Sequence, residues 1–207
     1  MKRLIAVFLA ALAMFSLSGC GYNDMARGEE SIKAAWAEVT NQYQRRADLI
    51  PNLVNTVKGF AQQEQDVLTR VVEARSKATA IQVSPEMVND PEAMKRFAAA
   101  QREVGGALGR LLAVAENYPQ LKSDALFRDL TAQLEGTENR ITVARNRYIK
   151  EIQGFNNSVV SFPSNLTAMV FGFKKKEQFQ VENEAAIKQA PTVDFGKPAA
   201  PAPAPKQ

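Results

Sequence analysis

Histidine is missing from all 207 residues, and cysteine occurs once, at position 20. Without imidazole, serine–histidine and cysteine–histidine catalysis are excluded, and so are histidine-based zinc and iron sites. A single thiol cannot close an intrachain disulfide, so no covalent staple supports the fold. Charge of one sign is also lacking: 26 Lys and Arg stand against 22 Asp and Glu. A balance so close to neutral leaves no electrostatic footprint for nucleic acid. Nor is there a glycine-rich loop or an isolated carboxylate pair, because Asp and Glu are scattered over polar helix faces. The expectations that follow are no catalytic residue, no metal, no cofactor and no small-molecule substrate, in a protein that is not an enzyme.

What is present begins at the N terminus, "MKRLIAVFLAALAMFSLSGC". Lys2 and Arg3 give a positive start, Leu4 to Leu17 form an apolar run, and small residues follow. This is the three-part layout of a secretory signal peptide, and the run is marginal against the roughly 20 apolar residues that cross a bilayer. Leu17-Ser18-Gly19-Cys20 resembles the lipobox of bacterial lipoproteins. That resemblance implies cleavage between Gly19 and Cys20, a diacylglyceryl thioether on Cys20, and a fatty acyl group such as palmitate on the freed amine. The thiol stands where lipid transfer needs a nucleophile at the membrane surface. The rival reading is an apolar anchor that is retained. Two or three acyl chains hold a protein on a bilayer far better than one, at ~0.8 kcal/mol per buried methylene. Gly21, where an aspartate would retain a lipoprotein in the inner membrane, leans toward the outer membrane of a two-membrane cell.

The body of the chain reads as helix. Ile32, Trp36, Val39, Tyr43, Ala47, Ile50, Val54, Val57, Ala61, Leu68 and Val71 recur at steps dominated by three and four, the period of one helical stripe. The spacing predicts a first helix from Glu29 to about Ile81, kinked at Pro51 because proline removes a donor and crowds the preceding turn. A break at Pro51 into two helices is the alternative. Asp90-Pro91-Glu92 has the form of a helix start, followed by the stripe Met94, Phe97, Gln101, Val104, Leu108, Leu111 and Ala115. Gly105 and Gly109 suit close packing against a neighbouring helix. A third helix, capped by Ser123 and running to about Val160, carries Phe127, Leu130, Leu134, Thr137, Ile141, Ala144, Tyr148, Ile152, Phe155 and Val159. A shorter fourth, capped by Ser164, and a further polar helix precede the extended "PTVDF". Stripes this long must bury one another, and short connections make neighbours antiparallel. The expected fold is all-α, an elongated antiparallel up-and-down bundle of three long helices with a shorter C-terminal one. The expected organisation is a signal peptide at 1–19, a tether at 20–28, the bundle at 29–195 and a disordered Pro/Ala-rich tail at 196–207.

Three stretches carry a family resemblance: "WAEVTNQYQRRADLIPNLVNTVKGFA", the long segment from "YPQLKSDALFRDL" through "LEGTENRITVARNRYIKEIQGFNNSVVSFPSNLTAMVFGF", and "PTVDF". Together they resemble the LemA family over about residues 29–195, with "LEGTENRI" the most specific piece. The resemblance implies long antiparallel helices attached to a bacterial envelope membrane through the N terminus, and no enzyme activity. Family members commonly keep an N-terminal transmembrane helix, whereas Cys20 here points to lipid. Some relatives look connected with membrane remodelling.

Two segments invite a functional reading. In "LEGTENRI", Glu135, Glu138, Asn139 and Arg140 would form a polar interaction surface. Alternatively they fix helix register, Glu138 pairing with Arg45 or Arg46 while Gly136 admits a bulky side chain such as Trp36 or Tyr43. In "AMVFGFKKK", Met169, Val170, Phe171 and Phe173 would dip into lipid while Lys174, Lys175 and Lys176 meet phosphates. The alternative is that the aromatics cap the bundle. The function expected from these features is a non-enzymatic envelope lipoprotein, held on the membrane by its lipid. It would serve as scaffold or interaction module in membrane organisation or remodelling, through self-association or an envelope partner. The rival is an adaptor for a specific envelope enzyme or transporter.

Overall fold

The computed structural model describes residues 2–177, with side chains from Gly21 onward. The described residues are all-α. Helix α1 runs Lys2–Phe60, α2 Gln65–Thr79, α3 Pro91–Ala115, α4 Pro119–Ser123, α5 Ala125–Val160 and α6 Ser164–Phe171, with a 3-10 turn at Pro85–Asn89 before α3. The polar helix, "PTVDF" and the 196–207 tail expected near the C terminus lie outside the described residues.

Helix α3 starts where the sequence places it. The Asp90 carboxylate accepts hydrogen bonds from the backbone N–H groups of Glu92 and Ala93, both at 3.0 Å, and Pro91 occupies the first turn, where no N–H is needed. Asp124, not Ser123, caps α5, accepting from Phe127 N at 2.8 Å; Ser123 instead ends the short α4. Nine of the ten residues of the predicted α5 stripe are buried, from Phe127 to Phe155, so its helical period reports the core directly. Pro163, not Ser164, flanks the start of α6, and Gly172 ends that helix at φ 77°, the left-handed geometry that suits glycine.

The first helix departs from expectation at both ends. It stops at Phe60, and residues 61–64 turn the chain back so that α2 lies antiparallel to the second half of α1. Reversal brings Leu68, Val71, Ala74 and Ala78 into one core with Ile50, Val54, Val57 and Ala61; one straight helix would have carried the two sets apart. At the other end the expected tether at 20–28 is helical and packed. Met25 is fully buried, and the lack of a side chain at Gly21 and Gly28 lets α1 approach α6 and α5. A Cβ at either position would meet Thr167 Oγ1 or Phe155 Cδ2 at 3.1 Å.

Pro51 lies inside α1 with helix on both sides. Lacking an N–H, it cannot bond the carbonyl of Ala47, four residues back. Arg75 of α2 supplies the missing donor: its Nε lies 2.8 Å from Ala47 O. The proline thus makes a docking point for α2 where an ordinary helix would present a satisfied carbonyl.

Two hydrophobic cores follow one another along the bundle. The first joins the later part of α1 with α2, the second half of α3, α4 and the start of α5. The second joins residues 25–43 of α1 with the 3-10 turn, Phe97, the later part of α5 and α6. Trp36 packs on Phe97 and Tyr148, and Tyr43 on Phe97, with ring centroids 5.3–5.4 Å apart.

Arg75→Met is expected to cost about 1–2 kcal/mol by leaving a buried carbonyl unpaired, measured by urea unfolding. In a Pro51→Ala background the cost should shrink, because Ala47 regains a backbone donor; equal costs in both backgrounds would refute the link. Burial pushes the Tyr148 hydroxyl up to about 12, against about 10 in the unfolded chain. The folded state therefore holds this proton more tightly. The associated stability is complete below the unfolded value and is lost as pH rises from about 10 toward 12. Thermal melts across that range should flatten in Tyr148→Phe relative to wild type.

Candidate functional site

Between the two cores sits Arg46, buried and charged. From α1 it reaches Glu138 of α5, Nη1 to Oε1 2.8 Å, and Gln101 of α3, Nη2 to the backbone oxygen at 2.9 Å and to Oε1 at 2.7 Å. The guanidinium carbon also stands 5.0 Å from the centroid of the Tyr43 ring. Gly105 lies at the same level, where an added Cβ would be 3.9 Å from Arg46 Nη1. Three helices are therefore fixed at one height by one side chain. A buried guanidinium is costly without partners, so any slip of α3 or α5 along α1 that removes them is penalised.

Of the residues expected to form a polar surface, Glu138 is turned inward to Arg46, while Glu135, Asn139 and Arg140 are exposed. Thr137, fully buried beside them, donates from its hydroxyl to Gln133 O at 2.8 Å within its own helix. The expectation that Gly136 receives a bulky neighbour is corrected: nothing lies within 4 Å of a Cβ placed there, and Trp36 and Tyr43 pack on Phe97 and Tyr148 instead. Gly109 is likewise open, so of the expected glycine pair only Gly105 meets another helix.

The second candidate segment divides. Lys176 is drawn into the bundle: its Nζ lies 2.8 Å from Glu29 Oε1 and 2.7 Å from Asn89 Oδ1, and 5.6 Å from the Phe155 ring centroid. Its backbone N–H donates to Asn156 Oδ1 at 2.8 Å, and its carbonyl accepts from Asn156 Nδ2 at 2.9 Å. Phe173 is half-buried against Phe155 and Tyr22. Phe171, Lys174 and Lys175 remain exposed. Residues 173–177 thus strap the chain back across α1, α5 and the 3-10 turn. Under the strap lies a cleft of ≈ 580 Å³ lined by Val88, Met94, Lys95, Phe171 and Phe173 among others. Of its lining charges, Glu29 pairs with Lys176 and Lys95 reaches Glu92 outside the cleft at 2.9 Å, while Lys174, Lys175 and Glu177 stand exposed at its rim.

The sequence singled out Met169 and Val170 for a lipid contact but not Phe162 and Leu166, which join them on one exposed face. Phe162, Leu166, Met169 and Val170 are exposed at 80%, 52%, 75% and 77%. Their spacing of four, three and one was the available signal. Gly21 packs against Ser164 and Thr167 of α6, so this end of α1 lies beside the helix that carries that face. Among residues whose side chains are described, no helix is long and apolar enough to cross a membrane.

The architecture defines a class: a long antiparallel helical bundle held in register by a buried cation, with its N-terminal helix continuing out of one end. The sequence pattern of the LemA family matches residues 35–195, and the chain belongs to that family. It is 27% identical over 192 residues to magnetosome protein MamQ 2 of Paramagnetospirillum magneticum, a match covering 85% of this chain and 68% of that protein. To magnetosome protein MamQ of Magnetospirillum gryphiswaldense it is 26% identical over 174 residues, 76% of this chain and 64% of that one. Protein LemA of Metamycoplasma hominis is 22% identical over 165 residues, 79% of this chain and 71% of the relative.

Glu138→Ala, which strands the buried guanidinium, is expected to cost about 2–3 kcal/mol in chemical unfolding. Arg46→Met should cost less, since it removes the charge while keeping an apolar stem. The reverse order would show that the ion pair does not govern this junction.

Proposed function

We propose that this LemA-family protein is a non-enzymatic scaffold at a bacterial envelope membrane, held there by lipid on Cys20 after cleavage behind Gly19. The observation that carries the reading is the continuity of α1 from residue 20 to Phe60. Whatever anchors residue 20 is joined to the bundle by helix, so the anchor positions the whole molecule. The packing of Gly21, Met25 and Gly28 supports this, because a mere leash would leave those residues without neighbours. Two relatives are named for the magnetosome and not for a reaction, which favours an organising role over catalysis. In this role the bundle presents its length to other proteins or to further copies of itself, and contributes to membrane organisation or remodelling.

A second reading, an adaptor for an envelope enzyme or transporter, draws support from one feature of α5. Asn139 and Arg140 are exposed one turn from Val143, which is 69% exposed, and Glu135 is exposed two turns from it. A partner contact there would use both polar and apolar groups.

Mass spectrometry of the mature protein should find Cys20 at its N terminus with acyl groups attached, and Cys20→Ala should shift the protein from the membrane to the soluble fraction. A native chain that begins at Met1 with a free thiol would refute the lipid anchor. Crosslinking from Asn139 distinguishes the two roles: capture of a single envelope partner, lost on Arg140→Glu, would favour the adaptor.

A further inference from the structure

Seven of the twelve exposed large hydrophobic residues among the described side chains lie at the end of the bundle where α1 emerges. The other five are scattered singly, as on any protein surface. Five of the seven, Phe162, Leu166, Met169, Val170 and Phe171, belong to α6 or the turn before it, and Tyr22 joins them through a ring contact of 4.8 Å to Phe171. The opposite side of α6 is occupied, since Thr167 and Ala168 are buried against the bundle. The helix is therefore packed on one face and left apolar on the other. Contiguous apolar patches rimmed by polar residues mark docking surfaces.

The occupant can be argued from position and charge. Gly21 packs directly on Ser164 and Thr167, so the residue that carries the anchor leaves the bundle beside this patch. Behind the patch stand Lys174 and Lys175, exposed, while Lys176 alone is consumed by the fold. Apolar side chains in front with ammonium groups behind match the acyl region and phosphates of a lipid leaflet. We propose that α6 is a foot that inserts Phe162, Leu166, Met169 and Val170 into the leaflet to which the N terminus is attached, with Lys174 and Lys175 at its phosphates. The membrane contact expected at Met169 to Lys176 is thereby extended to Phe162 and Leu166, while Phe173 and Lys176 are given over to the bundle. This proposal rests on the N-terminal anchoring proposed above. It adds a second attachment that sets the bundle with its α6 end against the membrane and the turn at 61–64 away from it.

The test uses the full processed chain reconstituted in vesicles of phosphatidylethanolamine and phosphatidylglycerol, with either plain or bromine-labelled acyl chains. Val170→Trp reports on the foot and Gln63→Trp on the far end, each read against the buried Trp36 of the parent. Co-flotation is measured on the same samples. The expected result is a loss of more than about half of the added emission for Val170→Trp in brominated vesicles, and little change for Gln63→Trp. Co-flotation with the Val170→Trp signal unquenched would overturn the foot while leaving the anchor intact. The same conclusion would follow if that signal were already shielded without lipid, because another part of the chain or a second copy would then cover α6. Failure to co-float would overturn the anchor and the foot with it.

Discussion

The meeting of Arg46 with Gln101 and Glu138 is the constraint on which the bundle's register depends. Helices lined with Leu, Val and Ala can slide past one another at modest cost, because many offsets bury similar area. A guanidinium lodged among them removes that tolerance, since few offsets provide a carboxylate and a carbonyl at hydrogen-bond distance. Its place between the two hydrophobic cores is therefore significant. Below it the core is built around aromatic contacts, Trp36 with Phe97 and Tyr148 and Tyr43 with Phe97; above it the side chains are mainly aliphatic. The polar junction assigns each helix segment to its own core.

The same logic governs the pairing of α1 with α2. A proline inside a helix is usually discussed as a defect, yet here the carbonyl it strands becomes the acceptor for Arg75. Both polar contacts use an arginine of one helix to meet a need created on another. Neither is visible from hydrophobic pattern alone, because each depends on which helices are neighbours.

That dependence marks the boundary of what the sequence made legible. The stripes of α3 and α5 specified their buried faces, and Asp90 specified the start of α3, because these follow from period and local capping. The turn at 61–64 was not legible. "AQQEQ" contains no glycine or proline, and the helical period runs through it, so only the gain from folding two stripes together ends α1 there. Glu138 could be assigned an arginine partner from chemistry, but not the openness around Gly136, which depends on the angle of approach. In "FGFKKK" the composition suggested a membrane contact, while the choice of Lys176 as the internal residue came from Glu29, Asn89 and Asn156, distant in sequence. Residues 20–28, expected to be a tether, are helical, and Gly21 and Gly28 stand in close contact with α6 and α5.

Unbroken helix from Gly21 to Phe60 makes α1 a shaft, with a contour length of ~58 Å over those residues. A flexible leash would let the bundle wander over a hemisphere and would transmit almost no torque. A stiff axle restricts that freedom to tilt and spin, so neighbouring molecules on one surface would meet flank to flank at a shared height. With the end at Gly21 anchored as proposed, any sideways push at the far tip would reach the bilayer as a bending moment.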